Sequence, residues 1–162
     1  MRMSEKTNSK IQKYSQTLFF LLAWILLLGI VTQISIVGLA VFVDGGLWKI
    51  HRAIISFIEF IPALMFFFGC AGGIHKQYRA WSFLLFFFIN FQYYTTYRWL
   101  GAIHSAFALV IFMISLYVAW GSYKIVVNAK KQKMIISNNF ATGISDSCPE
   151  SINGLPGSLG IC

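Results

Sequence analysis

Residues 18–43 read LFFLLAWILLLGIVTQISIVGLAVFV, and this stretch contains no charged side chain. A helix needs about 20 apolar residues to cross the roughly 30 Å hydrocarbon core of a bilayer. Three further apolar runs follow at 53–74, 80–97 and 99–123, and Glu59 is the single charge within them. Because the runs lack the alternation of membrane barrel strands, they predict helices. The sequence therefore predicts an all-α integral membrane four-helix bundle.

The overall composition excludes most soluble classes. Hydrophobic residues make up 57% of the 162-residue chain and charged residues only 11%, whereas about 25% of a typical soluble domain is charged. The net charge of +8 would favour a nucleic-acid partner if the basic residues formed a folded face. Here they flank the apolar runs, so we expect the lipid bilayer as the partner and no nucleic acid.

The basic residues also predict the domain organisation. A basic flank at 1–17 precedes the bundle at 18–123, and a tail at 124–162 is first basic and then rich in serine and glycine. That composition is typical of a flexible segment.

Orientation follows from the positions of lysine and arginine. Ten of the 13 lie at 2–13, 76–79 and 124–133, on one side of the predicted membrane, and three lie on the other side: Lys49, Arg52 and Arg98. Loops rich in lysine and arginine usually lie on the cytoplasmic side of a membrane. We therefore expect a multi-pass protein of the bacterial plasma membrane with both termini cytoplasmic.

The two halves of the bundle share a short motif. The second helix opens with IHRA at 50–53, and the fourth opens with IHSA at 103–106. Each motif follows a tryptophan and, in the helix before it, a glutamine: Trp48 and Gln33 in the first half, Trp99 and Gln92 in the second. Repeated hairpins are common in membrane proteins, so the sequence predicts two related helical hairpins.

Polar side chains concentrate at one predicted depth. On the helix rise of about 1.5 Å per residue, the outer half of the bundle holds Gln33, His51, Glu59, Gln92 and His104. The cytoplasmic half is almost entirely apolar. This asymmetry indicates a polar site beneath the outer membrane surface.

Glu59 has two interpretations. An ionised carboxylate in hydrocarbon costs several kcal/mol unless it is paired, protonated or in a wet cavity. It can pair with Arg52, or hydrogen-bond to Gln33 or Gln92, and so hold the bundle together. Alternatively, it is the coupling group of a small proton- or cation-coupled transporter.

His51 and His104 also have two interpretations. They are either interfacial histidines that contact headgroups and water, or the two axial ligands of one haem b held between the second and fourth helices. In the haem hypothesis the metal-binding residues are His51 and His104, with Gln33 or Gln92 orienting the imidazoles through their second nitrogen.

Basic side chains at the same membrane surface complete the haem hypothesis. Arg52, together with Lys49 and Arg98, is placed to receive the propionates. The cofactor-binding set is then His51, His104, Arg52, Gln33 and Gln92.

No catalytic residue is predicted. The sequence contains no G-x-S-x-G, H-E-x-x-H or P-loop motif, and these are the common signatures of hydrolases, zinc proteases and NTPases. We therefore expect a haem-binding or redox-accessory bundle rather than an enzyme. The alternatives are a transporter that uses Glu59, or a structural partner that assembles with itself or with another membrane protein.

The order of elements resembles an uncharacterised family of small bacterial four-helix membrane proteins. The residues that carry this resemblance are Gly29, Gln33 and Gly38 in the first helix, residues 48–52 at the start of the second, and Gln92, His104 and Ala108. The likeness covers residues 18–123 and implies the fold alone.

A looser resemblance is to one half of haem A synthase, which also has a glutamine in its first helix and haem-ligating histidines on the second and fourth. It implies that His51 and His104 are haem ligands. The chain has no second bundle and no outer cysteine pair, and it has Glu59 within the membrane, so the resemblance implies haem binding and not synthase activity.

Overall fold

Residues 2–96 and 100–141, which the computed structural model describes, fold into helices and contain no strand. The elements in chain order are α1 (Arg2–Phe42), a 3₁₀ turn (Gly45–Leu47), α2 (Trp48–Ile58), α3 (Ile61–Ala71), α4 (Lys76–Tyr94) and α5 (Gly101–Ala141). The prediction of an all-α chain is confirmed for these residues. Tyr97, Arg98 and Trp99 lie outside them, as do the tail residues after Ala141.

Three helical stretches are long and apolar enough to cross a membrane, namely Asn8–Phe42, Gly45–Ala71 and Gly101–Asn139. They coincide with the first, second and fourth predicted runs. The third run lies in α4, which has only 19 residues and carries Lys76 and Arg79 near its start and Asn90 and Gln92 near its end. Its polar ends explain why α4 is not among the three stretches found within the described residues.

The turn after α1 brings the start of α2 back toward α1. The Asp44 side chain accepts a hydrogen bond from the Gly46 N–H at 2.8 Å, as short acidic side chains often do in turns. The 3₁₀ turn from Gly45 leads directly into α2 at Trp48. Because this connection is short, the first turns of α2 lie beside the last turns of α1.

The second predicted helix is interrupted. The sequence predicts one run over 53–74, whereas α2 ends at Ile58 and α3 begins at Ile61, with Pro62 in its first turn. Proline has no N–H to donate and is tolerated at the start of a helix rather than in its interior. Pro62 therefore coincides with a break in the helix at Glu59 and Phe60.

The last helix is longer than its predicted run. It continues past 123 to Ala141, through the predicted basic segment and into the first residues of the predicted flexible tail. No glycine or proline occurs between Gly121 and Gly143, and lysine, glutamine, alanine and methionine are good helix formers. Residues 1–127 form one compact unit, and a second unit begins at Asn128.

Fully buried apolar side chains from four helices form the core. They are Phe19 and Leu26 of α1, Met65 of α3, Leu85 of α4 and Val118 of α5. The outside is also apolar, and Phe42, Phe57 and Phe67 are 87%, 79% and 68% exposed. Soluble monomers rarely expose large apolar patches, so this surface is consistent with a membrane protein.

Gly121 of α5 lies in close contact with α4. The ring of Tyr78 in α4 lies directly over Gly121 of α5, and the same ring packs against Tyr117 with centroids 5.7 Å apart. A side chain at position 121 would occupy the volume of the Tyr78 ring. Glycine is therefore required there by the contact and not by its backbone conformation.

We predict that Gly121→Ala lowers the free energy of unfolding by about 1–3 kcal/mol, because the new methyl group overpacks the contact with Tyr78. Thermal unfolding in one detergent, followed by circular dichroism, measures the change. Gly38→Ala in α1 is the matched control, since no atom lies within 4 Å of the added methyl group. It should leave stability unchanged or raise it by up to about 1 kcal/mol. Equal melting temperatures for the two variants would contradict the prediction.

Candidate functional site

Two glutamines make the same contact in the two halves of the chain. The Gln33 Nε2 of α1 donates a hydrogen bond to the main-chain oxygen of His51 in α2, at 3.1 Å. The Gln92 Nε2 of α4 donates to the main-chain oxygen of His104 in α5, also at 3.1 Å. The structure thus brings together both glutamine–histidine pairs of the sequence motif. We expected each glutamine side chain to contact the imidazole, but its amide binds the main chain instead.

The imidazole of His104 is held by two partners. Its Nδ1 lies 3.2 Å from the main-chain oxygen of Gln92 and 3.1 Å from the Thr95 hydroxyl. A carbonyl oxygen only accepts hydrogen bonds, so Nδ1 carries the proton when it bonds Gln92. Nε2 then keeps its lone pair. Histidines that ligate metals commonly donate their other ring N–H to a carbonyl in this way.

The position at which α4 ends allows the Gln92 carbonyl to accept a hydrogen bond from the His104 ring. The helix ends at Tyr94, so the Gln92 carbonyl lies in the last turn, where carbonyls lack an intrahelical partner four residues on. Thr95 follows, and its hydroxyl donates to the Gln92 main-chain oxygen at 2.9 Å. The sequence analysis missed Thr95, although a threonine three residues after Gln92, near a predicted helix end, is a usable signal.

The imidazole of His51 is held less firmly, although the Gln33 main chain lies near it. Its Nδ1 is buried without a hydrogen-bond partner, and so is the Oε1 of Gln33. The ring packs edge-on against Trp48 with centroids 5.7 Å apart. Leaving a buried polar atom unpaired costs about 1–3 kcal/mol. Within the described residues, four buried side-chain N or O atoms have no hydrogen-bond partner, and two of the four belong to Gln33 and His51.

A cavity with two adjoining chambers lies between the two histidines. The apolar chamber, about 300 Å³, is walled mainly by isoleucine and leucine and includes Gln33; the polar chamber, about 530 Å³, includes Trp48, Arg52, Tyr93 and Thr96. Both are lined by His51, Gln92 and His104. Cofactor and ligand sites commonly measure about 300–1,000 Å³. Of the predicted site residues, Gln33 lines only the apolar chamber and Arg52 lines only the polar chamber.

Glu59 is not part of either chamber's lining. It is half-buried, and its polar neighbour is the Tyr93 hydroxyl of α4, which also lies within hydrogen-bonding reach of Ser56. We expected Arg52, Gln33 or Gln92 as the partner. The sequence analysis missed Tyr93 because the register of α4 against α2 cannot be read from either helix alone.

Direct metal binding by protein side chains has little support. The residues at 2–96 and 100–141 include no group of three or more His, Cys, Asp or Glu side chains that could hold an ion. Cys70 is an exposed free thiol, and Cys148 and Cys162 lie outside the described residues. Two histidines suit a haem iron, because the porphyrin supplies its remaining ligands.

Residues 33–98 match the model of DUF6220, a family of unknown function. The chain is similar to that family over a stretch that includes Gln33, His51, Glu59 and Gln92 and ends before His104. This match confirms, over residues 33–98, the predicted resemblance to an uncharacterised family. No curated protein and no solved structure matches the chain.

We predict unequal effects for two matched glutamine substitutions. Gln92→Leu removes the bond to His104 and one of the two acceptors of the single Thr95 hydroxyl proton, which is Oε1 at 3.0 Å or the main-chain oxygen at 2.9 Å. We expect a loss of about 1–2 kcal/mol at roughly 1 kcal/mol for each bond. Gln33→Leu removes one bond but also an unpartnered buried oxygen, so the two effects largely offset each other.

Chemical or thermal unfolding in detergent compares the two variants with the parent protein. Gln77→Leu is the control, since the Gln77 side chain is exposed on α4 and makes no such contact. A larger loss of stability in Gln33→Leu than in Gln92→Leu would show that the hydrogen bonds do not have the strengths inferred here.

Proposed function

We propose that this chain is a membrane protein that binds one haem b between α2 and α5, with His51 and His104 as axial ligands. One observation carries the proposal: two histidines from different helices line the same cavity, and the hydrogen bond from His104 to Gln92 leaves the His104 Nε2 free to ligate. Bound haem would supply electron transfer, which makes the protein a redox-accessory bundle rather than an enzyme.

The cavity walls support a flat, apolar ligand. Ile55, Ile89 and Val37 line both chambers, and the small residues Ser105 and Ala108 of α5 leave space beside His104. An apolar wall favours a porphyrin ring, whose burial contributes about 25 cal/mol per Å² of apolar surface.

Arg52 is placed to bind an acidic group of the ligand at the polar chamber. Its side chain is exposed and lines that chamber, and a guanidinium binds carboxylates through paired hydrogen bonds. In this proposal Arg52 holds the propionates at the outer membrane surface. Arg98, the other predicted arginine, lies outside the described residues.

The proposal also includes the orientation of the chain in the membrane and the relation between its two helical hairpins. The distribution of lysine and arginine supports cytoplasmic termini in a bacterial plasma membrane, which places the cavity in the outer half of the bundle. The equal hydrogen bonds of Gln33 and Gln92 support two related hairpins. The lipid bilayer is then the principal partner, with self-association or a second membrane protein as the alternatives.

The position of Glu59 supports the haem proposal over coupled transport. A coupling carboxylate needs access to a cavity that its substrate also reaches, whereas Glu59 itself lines neither chamber and contacts the polar one only through the Tyr93 side chain. We propose that Glu59 links α2 to α4. A role in assembly with another membrane protein remains compatible with haem binding.

We predict that the protein, purified after expression with a haem precursor, shows the Soret and α/β bands of a six-coordinate haem. His51→Ala and His104→Ala each abolish that six-coordinate spectrum, because each removes one axial ligand. Absorption spectra of the oxidised and reduced protein measure the change, with a pyridine haemochrome assay for haem content.

The third histidine provides the control. His75 is exposed at the start of α4, where its Nδ1 accepts the Gln77 N–H at 3.4 Å, and it lines neither chamber. His75→Ala should leave the spectrum unchanged. A colourless wild-type protein under adequate haem supply would exclude the proposed function.

A further inference from the structure

We infer that the two histidines are unequal ligands: His104 is the permanent one, and His51 yields its position to a small neutral molecule such as a diatomic gas. This inference rests on the proposed haem function and goes beyond it, because it assigns a ligand-exchange side to the cavity. It follows from a difference between two otherwise matching halves of the chain.

The His104 side is fixed by reciprocal hydrogen bonds. The Gln92 side chain donates to the His104 main chain, and the His104 ring donates to the Gln92 main chain. Thr95 adds a contact at the same ring nitrogen. These bonds set the ring orientation and the tautomer together. Such outer partners typically raise metal affinity about 10–100-fold.

The His51 side lacks the corresponding bonds for a reason visible in the sequence. Gln33 lies nine residues before the end of α1 at Phe42, so its carbonyl is within the helix and accepts the N–H four residues on. Three residues after Gln33 stands Ile36, where the other half has Thr95. The Gln33 main chain lies near the His51 ring, but no carbonyl or hydroxyl group forms a hydrogen bond to the His51 Nδ1.

The walls beside His51 favour a neutral exchange partner. The apolar chamber places Ile30, Ile34 and Ile58 around the histidines. An isolated charge loses hydration there at a cost of several kcal/mol, whereas a small neutral molecule does not. In the exchange, the His51 Nε2 leaves with its lone pair and the arriving molecule donates a lone pair of its own. No electron or proton is transferred.

Carbon monoxide is the probe for this inference. The purified protein and its His51→Ala and His104→Ala variants are reduced with dithionite, and carbon monoxide is added while spectra are recorded. We expect the wild-type Soret band to shift on saturation. His51→Ala should retain its haem and bind carbon monoxide at least about tenfold faster, because no ligand has to leave first. His104→Ala should lose most of its haem.

Positioning variants test the inference even if His104→Ala fails to fold. Thr95→Val removes the hydroxyl beside the His104 ring and should lower haem affinity about tenfold, as measured by transfer of haem to apomyoglobin. Thr32→Val is the matched control, because the exposed Thr32 hydroxyl donates to the Leu28 carbonyl at 2.9 Å and not to a histidine, and Thr32 lines neither chamber. It should retain haem at the parental rate.

The outcomes separate this inference from the function on which it rests. A wild-type protein without haem overturns the proposed function. If the wild-type protein binds haem but its Soret band does not shift at saturating carbon monoxide, the proposed ligand exchange is wrong. Equal haem loss in the two histidine variants, or equal behaviour of the two threonine variants, overturns the assignment of His104 as the permanent ligand.

Discussion

The cavity depends on one kind of contact, a glutamine amide that donates to a main-chain carbonyl of the neighbouring helix. Gln33 and Gln92 make it to the two histidine carbonyls at 3.1 Å, and Gln16 makes it to the Gly72 carbonyl at 2.9 Å. In a largely apolar interior a polar side chain must find a partner. These bonds fix the register of each helix against the next, and two of them place His51 and His104 on the walls of one cavity.

Much of this arrangement could be predicted from the sequence, because the governing signals are local or periodic. Length and apolarity predict the spans that α1, α2–α3 and α5 form, since a bilayer sets one required length. The repeated Gln and Ile-His pattern predicts two matching pairs, and the structure contains both. Pro62 predicts a disturbed backbone near Glu59, and the helix is interrupted there.

The remainder depends on packing between distant elements, which no local signal carries. Tyr93 meets Glu59 only because of the register of α4 against α2. The role of Thr95 requires knowing where α4 ends, and helix ends are the least predictable feature of a sequence. The serine- and glycine-rich composition of the tail predicts a flexible segment, but no glycine or proline occurs between Gly121 and Gly143, and the helix continues to Ala141. These are the points at which the matching halves of the chain diverge.

The central claim is that imidazoles from α2 and α5 reach the same ligand. A low-temperature electron paramagnetic resonance spectrum of the oxidised, purified protein tests it most directly, since the g values of ferric haem report the axial ligands. We expect the low-spin signal of an iron bound by two imidazoles. A protein with no haem signal, or a low-spin signal that persists when both His51 and His104 are replaced by alanine, would contradict the account.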